Sequence, residues 1–479
     1  MTKTLYNVDI CVIGAGSAGL SVASGAAQLG RSVVLFEAED MGGDCLNTGC
    51  VPSKAMIAAG KAAHAQTAGK VFGIKPVKPK VDFEAVKAHV KGVIETIAPV
   101  DSQERFEGLG CTVIREYARF KDTKTIESDT TEVIAKRFVI ATGSRASAPP
   151  IPGLSETPYL TNENIFTVDS LPKHLLVIGA GPIGLELGQA FRRLGSDVTI
   201  IDVSEPLGRS EPEHAKVLVK ALEEEGVTFR APVTTKAVRK SENGVEIELE
   251  SGEILSGSHL LVAAGRKPSV SGLNLEAANV QYDKRGIEVD PDLRTSNKRI
   301  YAAGDVAKDM GGLTHAAGHH ASALIKNFYF MPPALGRLLA KATTDRMPAA
   351  IYSEPELGSI GLTEAQARKD HGDVKVVHWA FDENDRAIAE RNTQGGLKIV
   401  ATPKGKILGA SCVGEGAGDI IQLISLAMAN GIKIRGLTAF ISPYPTRSEI
   451  VKRAAGSWYT DALFSPKTKK LAGFFAKFH

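Results

Sequence analysis

One unit occurs twice in this chain, and it narrows the possible folds more than any other feature. The first copy reads Val8-Asp9-Ile10-Cys11-Val12-Ile13, then Gly14-Ala15-Gly16-Ser17-Ala18-Gly19, a helical stretch to Gly30, and Ser32-Val33-Val34-Leu35-Phe36-Glu37. The second reads Leu175-Leu176-Val177-Ile178, then Gly179-Ala180-Gly181-Pro182-Ile183-Gly184, a helical stretch to Gly195, and Asp197-Val198-Thr199-Ile200-Ile201-Asp202. In each, an acid follows the last motif glycine by 18 positions: Glu37 after Gly19, Asp202 after Gly184. The pattern is buried strand, glycine turn, helix, second strand, with the acid near the expected offset of about 20. Glycines allow the tight turn and let a pyrophosphate approach the backbone. The helix N-terminus offers free N–H groups and a positive dipole to that phosphate. The acid accepts hydrogen bonds from a ribose diol. One such turn can be a mere strand–helix connection, but two matching copies predict two dinucleotide-binding sites. A carboxylate at Asp202 accepts from the ribose 2′-OH and repels a 2′-phosphate, which favours NAD(H) over NADP(H). Arg209, seven positions on, could still recruit a phosphate.

The 479 residues predict about three domains. Residues 61–109 read as a helical insertion, followed by short strands over 111–140 that end in Ala141-Thr142-Gly143-Ser144. Pro149-Pro150-Ile151-Pro152-Gly153 reads as a linker. The second dinucleotide unit continues to Ala263-Ala264-Gly265-Arg266, and the strand Arg299–Ala303 leads into Gly304-Asp305. From Ala349 onward strands alternate with a helix near 418–430, which predicts an α+β domain without a nucleotide signature. A net charge of +3 is too small to argue for nucleic acid. No stretch approaches a membrane span, and no apolar signal core opens the chain, so a cytoplasmic protein is expected.

Five cysteines, an odd and sparse count, do not suggest a secreted disulfide framework. Two of them lie close together in Met41-Gly42-Gly43-Asp44-Cys45-Leu46-Asn47-Thr48-Gly49-Cys50-Val51-Pro52-Ser53-Lys54. Thiols five positions apart at a loop-to-helix junction can reach disulfide geometry. A helix N-terminus stabilises a thiolate, and Lys54 adds a positive charge one turn beyond Cys50. Half a zinc site is the competing reading, but no second close Cys or His pair supplies the missing ligands. Cys11 and Cys412 sit in apolar surroundings and read as core.

The Gly-Gly-x-Cys-x4-Cys-x-Pro-Ser-Lys string, set between these two dinucleotide units, resembles the FAD-dependent pyridine nucleotide–disulfide oxidoreductases, the group of dihydrolipoamide dehydrogenase, glutathione reductase and mercuric reductase. The likeness spans nearly the whole chain. It implies an α/β fold of two doubly wound Rossmann-type domains plus an α+β C-terminal dimerisation domain. The divisions would be 1–150 with 270–340 for FAD, 151–269 for NAD(P) and 341–479 for the interface of a homodimer. It further implies that Glu37 holds the FAD adenosine ribose, that Thr142 and Gly143 close a second wall, and that Asp305 binds the ribityl or pyrophosphate end. Cys50 would be the flavin-side thiolate and Cys45 the exposed interchange thiol. Lys54 would pair with Glu186, which read by itself is only an acid on the second dinucleotide helix.

The chain departs from the family in Ser442-Pro443-Tyr444-Pro445-Thr446-Arg447-Ser448-Glu449. Disulfide-reducing members place a histidine base where Tyr444 stands; Glu449 keeps its spacing. Histidine titrates near 6.5 and tyrosine near 10, so Tyr444 is a poor base for a dithiol, though it can donate a hydrogen bond or position a metal. Mercuric reductase has a tyrosine in this region, but also a C-terminal cysteine pair that is missing from Phe474-Phe475-Ala476-Lys477-Phe478-His479. The expectation is a mercuric-reductase-like enzyme that delivers electrons to a soft metal ion or a small disulfide, with dihydrolipoamide dehydrogenase as the alternative. The segment Lys452–His479 is basic with an apolar stripe at Leu471, Phe474, Phe475 and Phe478. Such a stripe is expected to pack on the protein's own dimer rather than on a membrane surface.

Overall fold

Ile10, Cys11, Val12 and Ile13 are all buried, as befits a strand covered on both faces in the middle of a parallel sheet. The computed structural model, which describes residues 3–478 except 333, 334, 336–338, 340 and 343, places them at the end of the strand Thr4–Ile13. Val33–Phe36 and Thr131–Ile140 flank it in parallel, and Cys111–Ile114 and Ile300–Ala302 extend the parallel set. Two short antiparallel strands, Arg119–Phe120 and Thr125–Glu127, complete seven. Strand side chains alternate between two cores. Ile10, Val12, Leu35 and Val139 pack with the helices Ser17–Gln28 and Thr314–Tyr329, while Cys11, Ile13, Val34, Phe36 and Phe138 fill the other face.

The second glycine turn repeats the design. His174–Ile178 lies parallel to Asp197–Ile201 and to His259–Val262, with the helix Pro182–Leu194 between the first two in sequence. Both turns depend on the third motif glycine. A Cβ on Gly19 would lie 1.8 Å from the Gly14 carbonyl oxygen, and one on Gly184 would lie 2.0 Å from that of Gly179. These strands, turns and helices belong to one compact unit made of residues 1–67, 77–203 and 233–344.

A second compact unit comprises residues 68–76, 204–232 and 345–479. Its antiparallel sheet runs in the order Pro348–Ile351, Glu356–Gly361, Ile407–Gly414, Gly396–Ala401, Lys375–Ala380. Cys412, Ile399, Ile420, Ile424 and Val451 form its core with the helices Ala417–Ala429 and Glu449–Ser457. The segment 204–232 belongs to this compact unit. It is tied to the C-terminal sheet by buried charge. Lys398 Nζ lies 3.0 Å from Glu211, 2.6 Å from Glu213 and 2.7 Å from Glu364. His214 Nδ1 lies 2.7 Å from Ser411 Oγ. Burial alone would pull the Lys398 ammonium down; hydrogen bonds to Glu213, Glu364 and Glu211 outweigh it and hold the group charged, well above its ordinary value. Among the described residues, no helix is long and apolar enough to cross a membrane.

Removing one partner of a buried ion pair costs about 3–5 kcal/mol. Lys398→Met should therefore lower stability by an amount in that range in denaturant unfolding. Unchanged stability would show that the cluster does not hold this unit together.

Candidate active site

The short helix Gly43–Asn47 carries Cys45, and the helix Cys50–Ala65 begins on Cys50. The two thiols influence each other's protonation, and Cys50 Sγ lies 3.3 Å from Thr314 Oγ1. The pair shares its protons unequally. The hydrogen bond from Cys45 is the largest influence on Cys50; burial opposes it, while Thr314 and the Lys54 charge assist, and the thiol comes down to about 6. The same bond, together with burial, pushes Cys45 far up. Cys45 is half-buried and Cys50 is exposed to the cavity they share. Cys11 and Cys412 are fully buried and burial pushes their thiols far up, so they are inert core residues.

Lys54 lies one turn along the Cys50 helix, and its Nζ is 2.7 Å from Glu186 Oε2. Glu186 is buried on Pro182–Leu194 rather than solvated. The two helices approach closely because Gly60 lies against Ala190, where a Cβ would come within 3.1 Å of the Ala190 carbonyl oxygen. A polar chain leads from the thiol loop to the first sheet. Arg266 reaches Asp44 Oδ2 at 3.1 Å and donates to Ser144 Oγ and the Ser144 carbonyl at 2.8 Å each; Ser144 Oγ donates to Asp305 at 2.6 Å. Asn162 donates to Asp44 Oδ1 at 3.0 Å. Buried His320, held neutral by burial at about 4, accepts from the Gly304 N–H at 3.1 Å and steadies the turn that carries Asp305.

Glu37 and Asp202 do the same local work in their two units. Glu37 accepts from the Ala15 N–H at 2.7 Å, and Asp202 from the Ala180 N–H at 2.7 Å. Each carboxylate is thereby held at the mouth of its glycine turn.

A cavity of about 670 Å³ joins the first turn to the thiols. Gly14, Gly16, Glu37 and Gly43 line it together with Cys45, Cys50, Lys54 and Glu186; Thr142, Gly143 and Asp305 complete the wall. Gly19 lies beneath the turn. Gly179, Gly181, Gly184, Asp202 and Gly265 are in the same compact unit but do not line this cavity. Tyr444 and Glu449 belong to the other unit. There the exposed Tyr444 hydroxyl donates to Asp385 Oδ2 at 2.9 Å, which raises its pKa above the ordinary tyrosine value, and Glu449 pairs with Arg453 at 2.9 Å. Among the described residues, no group of three or more His, Cys, Asp or Glu side chains is placed to hold a metal ion.

Two glycine turns and a thiol pair sharing a cavity with one of them define a flavin-dependent pyridine nucleotide–disulfide oxidoreductase, and the chain belongs to that family. Residues 8–321 match the family described as pyridine nucleotide-disulphide oxidoreductase, and residues 347–455 match its dimerisation domain. The mercuric reductase of Bacillus cereus is 34% identical over 455 residues, 94% of this chain and 71% of that protein. The dihydrolipoyl dehydrogenase of Thermus scotoductus is 35% identical over 466 residues, 95% of this chain and 98% of that one. The HOCl-induced flavoprotein disulfide reductase RclA from Escherichia coli superposes with a TM-score of 0.82 at 26% identity, covering 94% of this chain and 99% of that chain. The cavity fits FAD, the cofactor of this family: its volume is in the range of cofactor pockets, and its walls carry both a phosphate-binding turn with an oriented ribose acceptor and the thiols.

Because the Cys50 pKa is lowered, its thiolate is present above about pH 6 and is lost below it. Alkylation of the reduced protein at Cys50 should rise through that pH. Thr314→Val removes a hydrogen bond to the thiolate and should move the midpoint up by roughly one pH unit. An unmoved midpoint would contradict the assignment of Thr314.

Proposed function

We propose that the chain is an NADH-dependent, FAD-containing reductase in which Cys45 and Cys50 hand two electrons to a soft metal ion. The domain division 1–150 with 270–340, 151–269 and 341–479 accompanies this reading. In it, Glu37, Thr142, Gly143 and Asp305 hold FAD, and Gly179, Gly181, Gly184 and Gly265, with Asp202, hold the nicotinamide dinucleotide. When bound, FAD supplies two-electron chemistry that connects a nicotinamide with a disulfide. The chain's own residues manage charge and protons. Lys54, anchored by Glu186, keeps positive charge near the Cys50 thiolate. Cys45 retains its proton and serves as the interchange thiol toward the acceptor. A homodimer in the cytoplasm, with Tyr444 and Glu449 completing the second copy's site, fits the dimerisation-domain match.

Tyr444 carries the choice of acceptor. Reducing a dithiol–disulfide couple needs a base that titrates near working pH. A tyrosine hydroxyl whose proton is held by Asp385 cannot take that role. A soft metal ion needs no such base, because thiolates bind it directly. The relatives named mercuric reductase support this reading, as does a copper(II) complex of RclA, which superposes with a TM-score of 0.80. The dihydrolipoyl dehydrogenase relative keeps that activity as the alternative.

NADH oxidation should proceed with one mercuric ion, or two cupric ions reduced to cuprous, per NADH and be at least about 100-fold slower with lipoamide or glutathione disulfide, the scale of a missing general base. Comparable lipoamide turnover would overturn the metal-ion reading. Tyr444→His should raise lipoamide turnover by about tenfold or more while leaving flavin reduction by NADH unchanged. Asp202→Ser should narrow the preference for NADH over NADPH in kcat/KM; an unchanged ratio would remove Asp202 from cofactor selection.

A further inference from the structure

The family's dimerisation match ends at residue 455, and the chain continues through two further helices, Thr460–Leu463 and Pro466–Phe475, and a closing turn, Ala476–Phe478. Leu471, Phe474, Phe475 and Phe478 fall at the i, i+3, i+4, i+7 spacing of one helix face. On the single chain their exposures are 55%, 54%, 55% and 71%. Phe474 meets Phe475 at 5.5 Å and Phe478 at 5.3 Å between ring centroids. Leu463 and Phe464, just before this helix, are exposed as well. His479, the last residue, lies outside the described residues.

Charge settles what this face fits. From Ala462 to Phe478 the chain carries Lys467, Lys469, Lys470 and Lys477 and no Asp or Glu. At about 100° per residue the four apolar side chains span an arc of about 100°, with Lys469, Lys470 and Lys477 outside it and Lys467, in the first turn of the helix, within it. A helix with Leu and Phe on one face and lysines on the rest is built to lie in the headgroup layer of a bilayer, its apolar face a few ångströms deep and its ammonium groups on lipid phosphates. The same segment of a second copy would bring four more lysines and no acid.

We propose that residues 462–478 form a surface anchor for an anionic lipid bilayer. The anchor lies along the membrane. It is independent of the acceptor that the thiol pair serves.

Flotation of the full-length FAD-loaded protein with vesicles tests this. Binding to phosphatidylcholine vesicles containing phosphatidylglycerol is expected, with little binding to pure phosphatidylcholine, and high salt should weaken it as the Debye length falls from about 10 to about 3 Å. Reversing Lys469, Lys470 and Lys477 to Glu should reduce partitioning by at least about 100-fold, each lysine near an anionic surface being worth about fivefold. Phe474→Ser with Phe475→Ser should reduce it comparably, with the dimer's mass and flavin reduction by NADH unchanged. Absence of flotation with anionic vesicles at low salt would overturn the proposal. So would Phe variants that still float like the parent, or that lose the dimer instead of the vesicles.

Discussion

The site depends on one electrostatic arrangement: a thiolate at the first residue of a helix, with a lysine one turn along it. Cys50 opens a 16-residue helix whose N-terminal end is partially positive. Lys54 adds a full charge, and buried Glu186 fixes where that charge stands. Gly60 makes the pairing possible by letting the Cys50 helix settle against Ala190 of the second dinucleotide unit. The helix that follows one glycine turn thus sets the charge on a thiol that shares its cavity with the other turn. A side chain at Gly60 would require the two helices to give by a few tenths of an ångström at this contact.

A second arrangement links the thiol loop to the cofactor wall. Asp44, Arg266, Ser144 and Asp305 form a continuous polar path, in which Arg266 is the only cation. Asp44 by itself raises the Cys50 pKa. Its ion pair with Arg266 draws the carboxylate into the wall and limits that opposition. The same arginine orients Ser144 toward Asp305, so loop and wall are positioned together.

Much of this is legible in the amino-acid order because it is local. Each glycine turn places its strand, helix and acid within one short stretch, and Cys45 and Cys50 are five positions apart. The α/β architecture follows from those repeats and from the continuous apolar run Ile10–Ile13. The remainder is set by distance in the chain. Thr314 reaches Cys50 across 264 positions, and Asn162 reaches Asp44 across 118; no periodicity or spacing announces either. Glu186 reads as a surface acid until the Gly60 contact is known. Asp385, which holds the Tyr444 proton, is 59 positions away from it on another element. Lys398 is one lysine in an apolar strand, and nothing local reveals that three carboxylates surround it and draw residues 204–232 to the C-terminal sheet. The tail shows the converse: its stripe is plain in the sequence, but only the structure shows that the stripe is exposed on the single chain.

The central claim is that Cys50 carries the negative charge of the reduced pair within the flavin cavity. Anaerobic titration of the FAD-loaded protein with NADH tests it most directly, because a thiolate against oxidised flavin absorbs at long wavelength. The account predicts that this band appears at two electrons per site in the parent, is already present before NADH is added in Cys45→Ser, where no disulfide can form, and is absent from Cys50→Ser throughout. A band that survives in Cys50→Ser, or that is lost only in Cys45→Ser, would contradict it.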